Sequence, residues 1–304
     1  MRVFVTGGHG FVGAWLLPHL RDQGDEVLAP DAHAVDITDA AAMADALSEA
    51  RPDAVIHLAG LAHVGQSWDD PDATVQVNTV GTLHVLEAAR RVGNPRVLIV
   101  SSAEVYGHVQ PDQLPITEDA PLLPVSPYAA SKAAAELLAV QAHLGHGLPV
   151  VRARPFNHVG PGQAPTFAVA AFAQRIVDAR RSGAKTLEVG NLSPRRDLTD
   201  VRDVVRAYRL LVERGEPGQV YNVASGQDVA IEDVVRRMLD LAGVDLELEV
   251  DPSLLRPVDV PVLRGDATRL RQATGWVPEI ALDDTLRDVL HAAQAAQKGT
   301  AGPA

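Results

Sequence analysis

The sequence predicts an open α/β fold: a parallel sheet, doubly wound by helices on both faces, with a smaller C-terminal α/β region beside its carboxyl edge. Three observations predict it. Short β-branched runs alternate with alanine-rich helical stretches through the first half. Runs such as VLIV at 97–100 are apolar at every position, as strands buried on both faces are. A glycine-rich turn, TGGHGFVG, joins the first run to the first helical stretch.

The elements follow in order. RVFVT (2–6) reads as the first strand, and a helix starts near Phe11. DEVLA is the second strand, DAVIHLA the third, RVLIVSS the fourth and LPVVRAR the fifth, with intervening helices starting near Asp39, Asp72 and Tyr128. After Arg154 the alternation becomes irregular, and PFNHVGPGQAP is a loop by its Pro and Gly content. TLEVG and QVYNVAS are expected to return to the sheet. The expected division is 1–154 with 184–227 for the larger unit, 155–183 with 228–296 for the smaller, and a frayed tail over 297–304.

A chain of 304 residues, 46 % hydrophobic, is long enough to bury a full core. Cysteine is absent, which excludes a disulfide framework and a thiolate metal site. The eleven histidines show no metal-binding spacing, and His143 and His146 flank a glycine near a helix end, where capping or solvation accounts for them; no metal is expected. The start, MRVFVTGG, enters a strand without the basic and apolar segments of a secretory leader, and no apolar run is long enough to span a bilayer. The expectation is a cytoplasmic protein with no membrane association. A formal net charge of −12 opposes a basic surface for nucleic acid, so a nucleic-acid partner is not expected. A small anion held by a few converging arginines remains compatible with that charge.

In VFVTGGHGFVGAWL, Gly7, Gly10 and Gly13 lie between a strand and a helix, and Gly8, Gly10 and Gly13 satisfy G-x-G-x-x-G. Such glycines permit a tight turn, close backbone approach to a pyrophosphate and helix-to-strand packing. Phe11 and Val12 open the helix whose N-terminal amides would face the phosphates. This is the Rossmann-type pattern, and it implies NAD(H) or NADP(H). Asp31, 18 residues after Gly13, is placed to accept hydrogen bonds from the adenosine ribose, which favours NAD(H) over the extra phosphate of NADP(H). A turn aspartate following Pro30 is the competing reading. Asp36 and Ile37 could line the adenine pocket. Leu58, Ala59 and Gly60 end the third strand with small residues, as backbone passing close to a cofactor requires. Asn78 sits in a mostly apolar helix, where it either braces neighbouring loops or lies on the solvated face.

YAASKAAAELL puts Tyr128 and Lys132 four apart on one helical face. With both turned into a site, the ammonium would lower the phenol's pKa and let Tyr128 exchange a proton with a substrate oxygen. Upstream, SSAEVYGH follows the fourth strand and carries one carboxylate, Glu104, between a serine pair and a tyrosine.

With these motifs, the chain resembles the extended short-chain dehydrogenase/reductase family, which acts on nucleotide-activated sugars. TGGHGFVG, HLAGLAHVGQS, NTVGT, SSAEVYG, YAASK, RPFNHVGPGQ, RRDLTDVRDV and RPVDVP match family blocks in order over nearly the whole chain. The resemblance implies that Ser102 hydrogen-bonds the reacting sugar oxygen, that Tyr128 is the acid/base, and that Lys132 binds the nicotinamide ribose and tunes Tyr128. It places Pro155 among the cofactor-binding positions, and Asn157, Asn191, Arg196 and Arg256 among those that contact the sugar diphosphate. For Arg196 and Arg256, and for Arg195 beside them, a surface salt bridge is the alternative. Planar guanidinium forks suit phosphate oxygens, which makes arginines in an acidic protein informative.

VGNLSPRRDLTDVRDVVRAY and RPFNHVGPGQ are most similar to reductases of GDP-4-keto-6-deoxy-D-mannose, which form GDP-D-rhamnose. The GNL element is shared with GDP-mannose 4,6-dehydratases and favours a GDP-sugar. Two alternatives stay open. In family dehydratases the Glu104 position carries the base that removes a sugar proton; here its preceding neighbour is Ala103, where one dehydratase class has an acid. HLAGLAHVGQS is similar to UDP-galactose 4-epimerases, but Ala62 stands where those carry lysine. Glu104 is therefore expected to act as an accessory residue that contacts the sugar or holds a water. The resemblance also implies a homodimer packed through a four-helix bundle.

Overall fold

The computed structural model describes residues 1–255 and 260–300, with side chains described as far as 297. The first half runs β1 (Arg2–Thr6), α1 (Phe11–Asp22), β2 (Glu26–Leu28), α2 (Ala40–Ala50), β3 (Ala54–His57), α3 (Gln66–Asp69), α4 (Pro71–Val75), a π-turn (Gln76–Val80), α5 (Gly81–Arg91), β4 (Arg96–Val100), α6 (Pro127–His146) and β5 (Val150–Pro155). The second half runs β6 (Asn157–Val159), α7 (Ala168–Ser182), β7 (Thr186–Val189), β8 (Arg195–Asp200), α8 (Val201–Arg214), β9 (Val220–Val223), β10 (Asp228–Ala230), α9 (Ile231–Ala242), β11 (Glu247–Val250), β12 (Val262–Leu263), α10 (Thr268–Thr274) and α11 (Leu282–Thr300).

The large sheet has six strands in the order β2-β1-β3-β4-β5-β9, every pair parallel. Alternation along the strands sends side chains to two separate cores. Val3, Val5, Ile56, Leu98 and Val151 pack under α1 and α8. Phe4, Val55, Val97, Ile99 and Val150 pack under α2, α5 and α6. Burial on both faces is the reason these strands read as unbroken apolar runs. Winding reverses between β1 and β3, and the crevice outside the carboxyl ends of such strands is where an open α/β sheet binds ligand.

A second, smaller core gathers Val159, Phe172, Ile176, Leu187, Val189, Val234, Met238 and Leu286 from β6, β7 and helices α7, α9 and α11. Here β8 pairs with β10 antiparallel and with β12 and β6 parallel. Two expectations change. QVYNVAS joins the large sheet as β9, but TLEVG does not: β7 pairs with β11 and buries Leu187 and Val189 in the smaller core. A four-residue run of alternating buried and exposed residues carries no information about which sheet it enters. The tail also starts later than its composition implied, because α11 continues to Thr300, and 301–304 lie outside the described residues.

Candidate active site

The glycine turn has the form the motif implied. Gly7 adopts φ +70°, and a Cβ there would lie 2.6 Å from Ala59 N, so the turn passes directly over the end of β3. A Cβ on Gly13 would meet Gly8 O at 2.2 Å, which is why α1 can pack so close to the turn. Gly10 caps α1 without any side-chain hydrogen bond, and a Cβ on it would meet only Gly7 O, at 3.4 Å. The first-turn amides of α1, at Phe11 and Val12, are thus uncapped by side chains behind an open space, a cradle that fits a pyrophosphate. The Phe11 ring stacks on His158 at 6.1 Å, which seats the helix start against β6.

Beyond β2, the Asp31 carboxylate accepts hydrogen bonds from His33 N and Ala34 N at 2.9 and 2.8 Å, both through Oδ1. These N–H donors hold its pKa below the usual carboxylate range. The turn reading of Asp31 is thus present in the structure. Asp36 forms a similar turn, accepting from Thr38 N and Thr38 Oγ1. Ile37 is buried and leans on Gly81, where a Cβ would clash with its Cδ1 at 2.6 Å.

Leu58 N donates to Thr6 O and Ala59 N to Thr6 Oγ1, so the chain leaving β3 stays tied to the end of β1. Asn78 is buried in the π-turn, where Gly81 N–H reaches back to Gln76 O. Its Oδ1 accepts from Leu61 N at 2.8 Å, and its Nδ2 donates to Leu61 O and Ser131 Oγ. It is a brace, not a residue of the solvated face. A one-residue widening of a helix at such a position is a common feature of functional sites.

Ser102 follows the carboxyl end of β4, and Tyr128 and Lys132 reach it from α6. All three are buried. Ser102 caps a 3₁₀ turn over Ala103–Tyr106, its Oγ accepting from Glu104 N at 3.2 Å, and the same side chain hydrogen-bonds the Tyr128 phenol. Lys132 Nζ donates to Val100 O at 2.9 Å, and a Cβ on Gly60 would lie 3.4 Å from that ammonium. The absence of a side chain at Gly60 leaves room beside Lys132 for a ribose.

The electrostatics differ from the expectation that Lys132 depresses Tyr128. Burial pushes the Tyr128 phenol up to about 12, opposed by the Ser102 hydrogen bond and reinforced by the Glu104 charge. Burial brings the Lys132 ammonium down to about 8, opposed by Glu136 one turn further along α6. Desolvation dominates because α6, β4 and the 102–106 turn close over both groups. Burial thus favours the uncharged form of each group.

Several residues that hold this arrangement escaped sequence reasoning. Ser67 Oγ accepts from Tyr128 N at 3.1 Å and donates to Val64 O, and Ser126 Oγ caps the next amide, Ala129 N. Ser131 Oγ donates to Tyr128 O at 2.7 Å while accepting from Asn78. Glu136 accepts from Arg154, whose Nη1 donates to Tyr106 OH, and Tyr106 OH donates to Asn222 Oδ1 at 2.6 Å. The serines inside YAASK and HVGQS were the available signals; nothing in the sequence linked Glu136 to Arg154.

Toward the substrate edge, Pro155 ends β5 and Asn157 is exposed on β6 opposite Leu198. Asn191 is exposed in the loop after β7, its Oδ1 accepting from Ser193 N and Oγ. Arg196 is buried on β8, with Nη1 donating to Val260 O at 2.7 Å. Arg195 forms a salt bridge with Asp228, the alternative reading of that residue. Arg256 lies outside the described residues. Among the described residues, no group of three or more His, Asp or Glu is placed to hold a metal, and no helix is long and apolar enough to cross a membrane.

A doubly wound sheet with an uncapped glycine-turn helix, and a buried Ser–Tyr–Lys set at its carboxyl edge, defines an NAD(P)-dependent oxidoreductase of the extended short-chain dehydrogenase/reductase class. Within that class the chain belongs to the GDP-mannose 4,6 dehydratase family, whose sequence profile matches residues 4–289. It is 42 % identical to the GDP-6-deoxy-D-mannose reductase of Pseudomonas aeruginosa over 95 % of this chain and 96 % of that one. The structure of RMD from Pseudomonas aeruginosa complexed with NADPH superposes with a TM-score of 0.90 at 40 % identity, covering 97 % of this chain and 99 % of that one. The UDP-glucose 4-epimerase of Thermus thermophilus in complex with NAD gives 0.88 at 31 % identity, covering 97 % of this chain and all of the other.

Proposed function

We propose that this chain reduces the 4-keto group of a nucleotide-activated 6-deoxy sugar, with GDP-4-keto-6-deoxy-D-mannose as substrate and GDP-D-rhamnose as product. The observation that carries the reading is the buried Ser102, Tyr128 and Lys132 set in a chain that is 42 % identical to a GDP-6-deoxy-D-mannose reductase over 95 % of its length. A keto reduction needs a proton donor at the carbonyl oxygen. The likeness to the Pseudomonas aeruginosa reductase supports the choice of sugar.

A bound reduced nicotinamide supplies the hydride. Ser102 Oγ donates to the carbonyl oxygen as charge develops on it, and Tyr128 passes its proton to the same oxygen. The Lys132 cation steadies the phenolate left behind. Glu104 beside this pair favours the protonated phenol and serves as an accessory contact to the sugar. Asn157, Asn191, Arg196 and Arg256 are proposed to hold the sugar diphosphate. Asp31 favours NADH, through ribose hydrogen bonds at Oδ2. The exposed Leu137 and Leu144 on α6 support dimerisation through that helix and α5. A cytoplasmic location suits an enzyme that draws on reduced nicotinamide.

The test offers GDP-mannose alone, then GDP-4-keto-6-deoxy-D-mannose with NADH or NADPH. Reductant-dependent consumption of the keto sugar is expected. Conversion of GDP-mannose without reductant would overturn the reading in favour of 4,6-dehydration, and interconversion of UDP-glucose and UDP-galactose would favour 4-epimerisation.

A further inference from the structure

We infer that His57 is a positioning residue for the dinucleotide site: a neutral, two-ended strut that holds the Leu58–Gly60 turn against Gly7 and ties it to the π-turn carrying Asn78. The inference rests on the dinucleotide reading of the glycine turn.

His57 ends β3 and is buried, 2 % exposed. Its Nδ1 lies 2.7 Å from Thr6 Oγ1, and its Nε2 lies 2.9 Å from Thr82 Oγ1. The direction of each bond follows from hydroxyl bookkeeping. Thr82 has one proton, and its Oγ1 sits 2.6 Å from Asn78 O, a group that can only accept. That proton therefore belongs to the Thr82–Asn78 bond, and His57 Nε2 must be the donor to Thr82. Nδ1 is then the bare nitrogen, and Thr6 Oγ1 donates to it while accepting from Ala59 N at 3.3 Å. One unbroken chain of donors runs from Ala59 N–H through Thr6 to His57, and another from His57 through Thr82 to Asn78 O.

Both ends matter for the site. Thr6 precedes Gly7, and Ala59 is the residue a Gly7 Cβ would strike. Asn78 holds Leu61 and Ser131, and its Oδ1 would lie 2.8 Å from a Cβ on Gly60. The strut thus sets the gap between the glycine turn and the β3 turn, where backbone must approach a dinucleotide. A protonated ring could not accept from Thr6, and it would add a buried cation near the Lys132 ammonium. Burial, with Lys132 nearby, pushes the His57 pKa down to about 3, so the ring stays neutral across the working range.

The test begins with the cofactor-free protein labelled with ¹⁵N-histidine, His57 being assigned from the spectrum of His57→Gln. Long-range ¹H–¹⁵N correlations are expected to show His57 as the Nε2–H tautomer, unchanged between pH 5 and 8. An Nδ1–H tautomer, or titration in that range, overturns the strut. The second arm measures NADH and NADPH dissociation constants by fluorescence. Thr82→Val, which leaves the His57 donor without an acceptor, is expected to weaken binding about tenfold, while Thr82→Ser restores it. Unchanged affinity in Thr82→Val overturns the positioning role even if the tautomer is as described. A wild-type chain that binds neither dinucleotide removes the reading of the turn, and the role given to His57 with it.

Discussion

Arg154 at the end of β5 grips Glu136 on α6, with Nε at 2.9 Å from Oε1 and Nη2 at 2.8 Å from Oε2, and the two side chains are 5 % and 1 % exposed. Glu136 follows Lys132 by one helical turn, and Arg154 also holds Tyr106, which closes the 3₁₀ turn begun by Ser102. The pair therefore joins the helix that carries Tyr128 to the turn that carries Ser102. Removing Arg154 leaves the buried Glu136 carboxylate with only the longer contact to Arg152 Nη1, at 3.7 Å. Arg154→Met is expected to cost about 3–5 kcal/mol of folding stability, read as a lower denaturation midpoint. A loss under about 1 kcal/mol would show that the pair is solvated in solution.

Chemistry at the site separates by residue. Tyr128→Phe removes the proton donor and is expected to lower kcat by about 10²–10⁴-fold. Ser102→Ala removes one donor to the developing oxyanion and is expected to cost about 10²–10³-fold. Dinucleotide binding should survive in both, as fluorescence titration would report. A Glu104→Gln variant should keep most of its keto-reduction, and complete loss with substrate still bound would make Glu104 a catalytic group.

The pH dependence of kcat follows from the same groups. With the phenol near 12, Tyr128 stays protonated through the usual range and imposes no limit there. Lys132 titrates at about 8, and above that pH the cation that steadies the phenolate is lost. The profile should be flat from pH 6 to 7.5 and fall about tenfold per unit above 8. Lys132→Arg, charged at every accessible pH, should be slower but lack that fall. A profile that instead rises through pH 8 would mean the working form is the phenolate.

Cofactor choice is tested at Asp31. Its carboxylate is kept ionised by two backbone N–H groups, so it should repel a 2′-phosphate. NADH is expected to be preferred in kcat/KM, and Asp31→Ser should narrow the ratio to NADPH by about tenfold. Equal use of both dinucleotides by the wild type would leave Asp31 as a turn residue only.

Leu137 and Leu144 stand seven residues apart on α6, 64 % and 78 % exposed. Apolar side chains this open along one helical face are expected to be covered by a second copy. Light scattering should give twice the chain mass for the wild type and the single mass for Leu137→Glu/Leu144→Glu. A wild-type monomer would rule the interface out.

What was legible in the sequence had local causes. The strands of the large sheet are buried on both faces and so read as continuous apolar runs. Gly7 needs a positive φ, which only the glycine itself announces. Tyr128 and Lys132 share a face because helical spacing places them there. Ser67 and Ser131 were harder, since a serine near a helix start looks the same whether it caps the helix or faces water.

The sequence by itself determined the order of strand and helix, the glycine turn, and the serine, tyrosine and lysine available for chemistry, because each depends on spacing along the chain. Only the tertiary structure decided that TLEVG leaves the large sheet for β11, that Asn78 braces Leu61 and Ser131, and that His57 is held between two threonines. It also decided the sign of the shift at Tyr128, which burial raises against the Ser102 hydrogen bond. Desolvation and buried hydrogen bonds depend on what surrounds a group in space, and residues far apart in the chain supply those surroundings.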